Sequence, residues 1–233
     1  MAVEAISPAH KLIVLHTPKC GGSSLLGSLQ DAFGRKAIYR DYKYIGGERM
    51  PKRADIPEPV IYGHFRAVKY NEMHGFRVTL LREPVDRMLS LYFNWRFSPP
   101  EPLQNRIGRL RNDVHAGRMS LLELAREPSI ANRIHRHYFG GFDMARFSLI
   151  IPHHNYTSGV RRLGEMVGVP LSVQERNVSS SRSPEYEKAR REVMADEETL
   201  HALKNLIGEE IDFYQRAMAL PAFWQDNDGG AAA

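Results

Sequence analysis

Residues 12–26 read LIVLHTPKCGGSSLL, and they narrow the folds open to this chain more than any other stretch. An apolar, β-branched run, Leu12 to Leu15, breaks at Thr17-Pro18. Lys19, Gly21, Gly22, Ser23 and Ser24 follow, and an apolar helical pattern then begins. Strand, tight glycine turn with one lysine, then helix is how a chain builds an anion cradle. Glycine lets the backbone come close to the anion, and the N–H groups and dipole of a helix N-terminus favour negative charge. The serine hydroxyls are candidates to cap the helix or to bond phosphate oxygens.

Two common owners of such a loop are excluded. A Walker A loop reads G-x-x-x-x-G-K-[ST], with lysine after the glycines. Here Lys19 precedes Gly21 and Gly22, and Thr17 stands where the first Walker glycine would be. A Cys-x5-Arg phosphatase loop fails because Leu26 occupies the arginine position. The loop residues by themselves leave two readings open: a ligand loop, and a glycine-rich strand–helix turn without a ligand.

A second segment, residues 76–97, reads FRVTLLREPVDRMLSLYFNWRF. Phe76 to Leu81 suits a buried strand. Glu83-Pro84 places proline at a helix start, where its missing N–H costs little. Val85, Met88, Leu89 and Tyr92 then recur at helical spacing. Arg82 is thus expected at the carboxyl end of a strand, the end at which doubly wound sheets bind ligands, with Ser90 in the second turn of the next helix. Between the two segments lies Val60-Ile61-Tyr62-Gly63-His64-Phe65, a third strand-like run ending in Gly-His. A histidine there is either structural or a proton acceptor, since neutral imidazole titrates near physiological pH.

The order Pro18-Lys19-Cys20-Gly21-Gly22-Ser23-Ser24 resembles the 5′-phosphosulfate loop of sulfotransferases that use 3′-phosphoadenosine 5′-phosphosulfate (PAPS). Leu81-Arg82-Glu83-Pro84-Val85-Asp86-Arg87, with Ser90 and Tyr92, resembles their 3′-phosphate segment, most closely that of the carbohydrate branch with its uronyl 2-O-sulfotransferases. The resemblance covers residues 11–220, and only these two motifs are specific. It implies a P-loop-like central parallel sheet flanked by helices, with a helix-rich C-terminal half. It implies PAPS as co-substrate, adenosine 3′,5′-bisphosphate as product, no metal, and a hydroxyl-bearing glycan or glycolipid as acceptor. On the resemblance, the seven loop residues are expected to hold the 5′ side, Arg82 and Ser90 the 3′-phosphate, Lys19 to stabilise the leaving oxygen, and His64 to be the general base. Arg176, Ser179, Ser181 and Arg182 match a segment that folds over the nucleotide, and a solvated linker is the equal alternative there.

The chain has 233 residues, 42% hydrophobic, with a net charge of +5. That is enough to bury one core, and a single domain over 1–225 with a disordered tail at 226–233 is expected. The positive charge suits an anionic ligand. No nucleic-acid-binding signature accompanies it. One cysteine, Cys20, excludes an internal disulfide and reads as a small loop residue. His135, His137, His153 and His154 lack partners at zinc spacing. No run is long enough to span a bilayer and the N-terminus lacks a signal-peptide pattern, so a cytoplasmic location is expected. Oligomeric state is not legible. Two further functions stay in play: a nucleotide-kinase-like phosphoryl-transfer enzyme, which needs a Walker lysine and a magnesium-binding acid, and a non-catalytic nucleotide binder.

Strands are expected at 11–16, 60–64, 76–81 and 146–151. Helices are expected at 22–33, 85–97, 119–126, 129–138, 156–167, 185–194 and 197–219, the last breaking near Gly208. Residues 35–58, rich in Arg, Lys, Tyr, Gly and Pro, are expected as loops near the acceptor. The basic run Arg106 to Arg111 reads as a solvated helix face.

Overall fold

A computed structural model describes residues 6–42, 56–100, 102, 105–174 and 183–225. Arg176, Ser179, Ser181, Arg182 and the tail 226–233 lie outside them, as does most of the expected loop region. The chain forms two compact units, the first from residues 1–82, 138–177 and 216–233, the second from 83–137 and 178–215.

The first unit is built on five parallel strands: β1 Lys11–Leu15, β2 Ile38–Asp41, β3 Val60–Gly63, β4 Gly75–Leu81 and β5 Leu149–Pro152, ordered β2-β3-β1-β4-β5. This is the parallel α/β sheet that the sequence implied. Helices α1 (Gly22–Phe33) and α5 (Tyr156–Val167) bury Leu25, Leu29, Val160 and Leu163 against Leu12, Val14, Val78, Leu80 and Ile151. Each such side chain contributes roughly 1.5–3 kcal/mol on leaving water. Two cations sit inside strands and are met by carbonyls. Lys11 Nζ donates to Ile56 O and Glu58 O, both at 2.8 Å. One Arg77 amino group donates to the carbonyls of Tyr70, Asn71 and Met73.

The short strand β2 departs from the expected loop. Ile38-Tyr39-Arg40-Asp41 carries too few apolar residues to stand out, and its two buried residues, Ile38 and Asp41, fall on opposite faces, so no alternating apolar pattern marks it. Strand β5 begins three residues later than expected.

The second unit is helical: α2 Pro84–Phe97, α3 Arg106–His115, α4 Leu121–Arg126, α6 Pro184–Ala195, α7 Glu197–Leu206 and α8 Gly208–Met218, the last running past the boundary between units. Its core holds Met88, Leu89, Phe93, Val114, Leu124, Tyr186 and Leu203. Pro84 opens α2, and the Glu83 carboxylate caps it by accepting from the N–H groups of Val85 and Asp86. Helix α3 confirms the solvated face for Arg106 and Arg109, which are exposed while Leu110 and Val114 are buried.

The helix expected at 129–138 does not form. Asn132 has a left-handed backbone (φ 51°), and its side chain accepts from Glu210 N at 3.0 Å. The Glu210 carboxylate takes the Ile134 N–H and binds buried Arg87 at 2.6 Å. With Asn132 left-handed and the Ile134 N–H diverted, a regular helix does not run through 132–134, and a π-helical turn, Ile134–Tyr138, remains. Among the described residues, no helix is long and apolar enough to cross a membrane.

Candidate active site

Strand alternation sets the site out. Leu12, Val14 and His16 share one face of the sheet, as do Val60, Tyr62 and His64. Register pairs Leu12 with Val60, Val14 with Tyr62, and Leu15 with Gly63. One step further, past the last rung, it sets His16 beside His64. On the other side Asp41 pairs with Gly63, so Tyr42 comes next to His64. The rings meet as this predicts. His16 and His64 lie 4.3 Å apart between centroids at 31°, and Tyr42 stands edge-on to His64 at 5.0 Å.

His64 is held in one orientation. Its backbone N–H donates to Asp41 O at 2.9 Å. Its Nδ1 lies 2.5 Å from the carbonyl oxygen of His16. A carbonyl can only accept, so Nδ1 carries the proton and the lone pair of the neutral ring is on Nε2. Asp41 is itself buried and held through one carboxylate oxygen: Oδ2 accepts from Lys69 Nζ at 2.7 Å and from Tyr70 Oη at 2.6 Å. A Cβ on Gly63 would stand 1.8 Å from Asp41 O, so the missing side chain serves the close approach of β2.

The loop after β1 is pinned on both sides. His16 N donates to Gly63 O at 2.8 Å and Thr17 Oγ1 to Leu80 O at 2.5 Å. Lys19 (φ 67°) and Gly21 (φ 88°) are both left-handed. For lysine that conformation costs of the order of 1–2 kcal/mol and holds only where the surroundings impose it. Gly21, not a serine, is the N-cap of α1, and no side chain caps the helix. The first turn also carries no acidic residue. The N–H groups of Gly22 and Ser23 therefore open the helix without a partner among the described residues. Ser23 is exposed and Ser24 buried. Cys20 is buried, with Sγ 3.5 Å from Pro18 O, so its side chain packs into the core and only its backbone belongs to the loop. The rings of His153 and Tyr156 lie against Gly21.

Arg82 follows β4 and reaches back to the loop, Nη1 donating to Lys19 O at 3.2 Å. Lys19, His64 and Arg82 thus stand at the carboxyl ends of β1, β3 and β4, three neighbours in the sheet. Ser90 belongs to the second unit, where it is fully buried with no partner for its hydroxyl among the described residues. The sequence reading missed His16, Tyr42 and the Asp41–Lys69–Tyr70 network. Counting in twos from the apolar residues of β1 and β3 would have found His16.

Burial drives the pKa of His16 down to about 3, with the neighbouring charge of His64 adding to the effect. The folded chain therefore holds His16 neutral, whereas the unfolded chain protonates it near pH 6.5. Above pH 6.5 the group costs nothing; below it the unfolded state takes up the proton, and stability falls until the pH reaches about 3. Between pH 7 and pH 5 this one group should remove about 2 kcal/mol. Urea unfolding at the two pH values checks this: His16→Phe should lose about 2 kcal/mol less than the wild type over the interval.

Among solved structures, the chain is similar to mouse sulfotransferase SULT7A1 complexed with PAP, at 11% identity over 86% of this chain and 89% of that one, with a TM-score of 0.40. It is also similar to a sulfotransferase from Alicyclobacillus acidocaldarius, at 16% identity over 89% and 99% of the two chains, with a TM-score of 0.36. No family model matches the chain, and no curated protein matches its sequence. At this distance a functional reading rests on the chain's own residues.

Proposed function

We propose that the chain is a PAPS-dependent O-sulfotransferase acting on an acceptor hydroxyl, with a carbohydrate as acceptor. The observation that carries the reading is the placement of Lys19, His64 and Arg82 on three adjacent strand ends around an uncapped helix N-terminus. PAPS supplies an activated sulfuryl group. Nε2 of His64 takes the proton of the acceptor hydroxyl as its oxygen attacks sulfur. Lys19 and the amides of Gly21, Gly22 and Ser23 hold the negative charge that grows on the 5′-phosphate oxygen as its bond to sulfur breaks. Preorganised charge of this kind usually contributes more to rate enhancement than any other single effect. In the same reading Arg82 and Ser90 serve the 3′-phosphate, and the segment with Arg176, Ser179, Ser181 and Arg182 covers the nucleotide.

Isothermal titration tests the reading. Adenosine 3′,5′-bisphosphate should bind far more tightly than AMP. Arg82→Ala should weaken the bisphosphate by about 1.5–3 kcal/mol, the range for a hydrogen bond to a charged group, and leave AMP nearly unchanged. Equal wild-type affinities for the two nucleotides would remove the 3′-phosphate site. An equal loss for both in Arg82→Ala would make Arg82 a prop for the Lys19 carbonyl and nothing more.

A further inference from the structure

Asp41 is 2% exposed, an acid buried at the end of an edge strand, and the segment that carries His64 holds it from two directions. At the near end of that segment, the backbone N–H of His64 donates to Asp41 O at 2.9 Å. At the far end, Lys69 Nζ and Tyr70 Oη donate to Asp41 Oδ2 at 2.7 Å and 2.6 Å. Residues 64–70 therefore start and finish on one residue of β2.

The carboxylate works from the face of the sheet opposite the His64 ring. Asp41 pairs with Gly63, and alternation sends the side chains of Tyr42 and His64 to the other face. The partners of the carboxylate are themselves fixed. Tyr70 is 1% exposed, and its ring meets Phe65 edge-on at 4.8 Å. Its carbonyl accepts from Arg77 Nη2 at 2.8 Å, which ties the segment to β4. Burial, and then the bond to Asp41, holds the Tyr70 phenol above its ordinary range, so it stays an O–H donor. Strand β2 has four residues and lies at the edge of the sheet. Few backbone bonds hold so short an edge, and elements of that kind open locally at low cost. The charge-assisted bonds to Asp41 act at its last residue, the one whose carbonyl meets His64.

We infer that Asp41 is a positioning residue for the base: its carboxylate ties the end of β2 to Lys69 and Tyr70, and the carbonyl so fixed keeps His64 where Nδ1 meets the His16 carbonyl. The inference rests on the proposed role of His64 and adds the group that holds it.

Three variants and one spectrum test it. Asp41→Ala removes the carboxylate. Asp41→Asn keeps an oxygen that accepts from Tyr70 and Lys69. Tyr70→Phe removes one bond alone and keeps the ring in the core. On the true acceptor, Asp41→Ala should lower kcat by about tenfold to a hundredfold, as for a misplaced catalytic group. Affinity for adenosine 3′,5′-bisphosphate should stay close to wild type. Asp41→Asn should recover most of the lost turnover. Labelling with ¹⁵N-histidine reads the ring without any turnover. Wild type should show His64 as one neutral tautomer with the proton on Nδ1. In Asp41→Ala both ring nitrogens should move toward averaged positions, as the ring leaves the His16 carbonyl. A folded Asp41→Ala with wild-type kcat, or with the His64 tautomer intact, would overturn the inference. So would an equal loss of kcat and bisphosphate affinity, or an Asp41→Asn as impaired as Asp41→Ala. Should Asp41→Ala fail to fold, Tyr70→Phe decides by the same readouts. Should His64→Ala keep full turnover while the Asp41→Ala spectrum moves as expected, the reading of His64 as base fails and its anchoring by Asp41 stands.

Discussion

His64→Ala should lower turnover on the true acceptor by roughly 10²–10⁴-fold, the usual contribution of a general base, while nucleotide affinity stays close to wild type. The geometry makes the two readouts separable. His64 meets the loop through the carbonyl and the ring of His16, and the groups placed on the nucleotide are Lys19, Arg82 and the helix amides. Screening glycan, lipid and small-alcohol acceptors with labelled PAPS supplies the substrate for this assay. Turnover should also fall on acidification, as Nε2 gains a proton and loses its lone pair. If His64 only packs the end of β3, the variant loses thermal stability, nucleotide binding and activity together. A well-folded variant with full turnover would remove His64 from the chemistry and favour a binding protein that keeps the cleft as a scaffold.

Gly63→Ala should destabilise the first unit by about 3 kcal/mol or more, at the upper end of overpacking substitutions. The new methyl would stand 1.8 Å from the oxygen of Asp41 and 2.4 Å from its carbonyl carbon, both backbone atoms. A flexible side chain could swing aside; a paired strand has to move bodily. Strand β2 would be pushed off β3, and the bond from His64 N–H to Asp41 O would go with it. Urea unfolding measures the loss. A variant within about 1 kcal/mol of wild type would mean that β2 shifts at little cost, and that Asp41 does not anchor His64.

Much of the fold was legible in the chain because each signal was local. The loop at Lys19, the proline that opens α2, and the ends of α1 and α5 are set by residues within a few positions of one another. Strand β2 was not legible: Ile38 and Asp41 are buried only because β3 lies alongside, a neighbour 22 residues away in sequence. The missing helix at 129–138 failed for the same reason. Its backbone is claimed by Glu210, 76 residues from Ile134. In the site, Lys19, His64 and Arg82 could be named from motifs. Counting in twos along β1 would reach His16, but its place beside His64, like that of Tyr42, depends on which strands pair and in which register. The lone pair on Nε2 of His64 likewise depends on a carbonyl 48 residues away in sequence.

The unslipped register of the sheet limits how such a chain can be rewritten. Tyr42, His64 and His16 are addressed by counting from β2, β3 and β1, each one residue past the last rung. Deleting a single residue from β3 would bring Phe65 to the address of His64 and turn every side chain beyond the deletion to the opposite face. Point substitution at these three positions leaves the count, and so the register, unchanged. New chemistry in this architecture is therefore reached by exchanging letters at fixed sites, while gains and losses of length are confined to the connections beyond them.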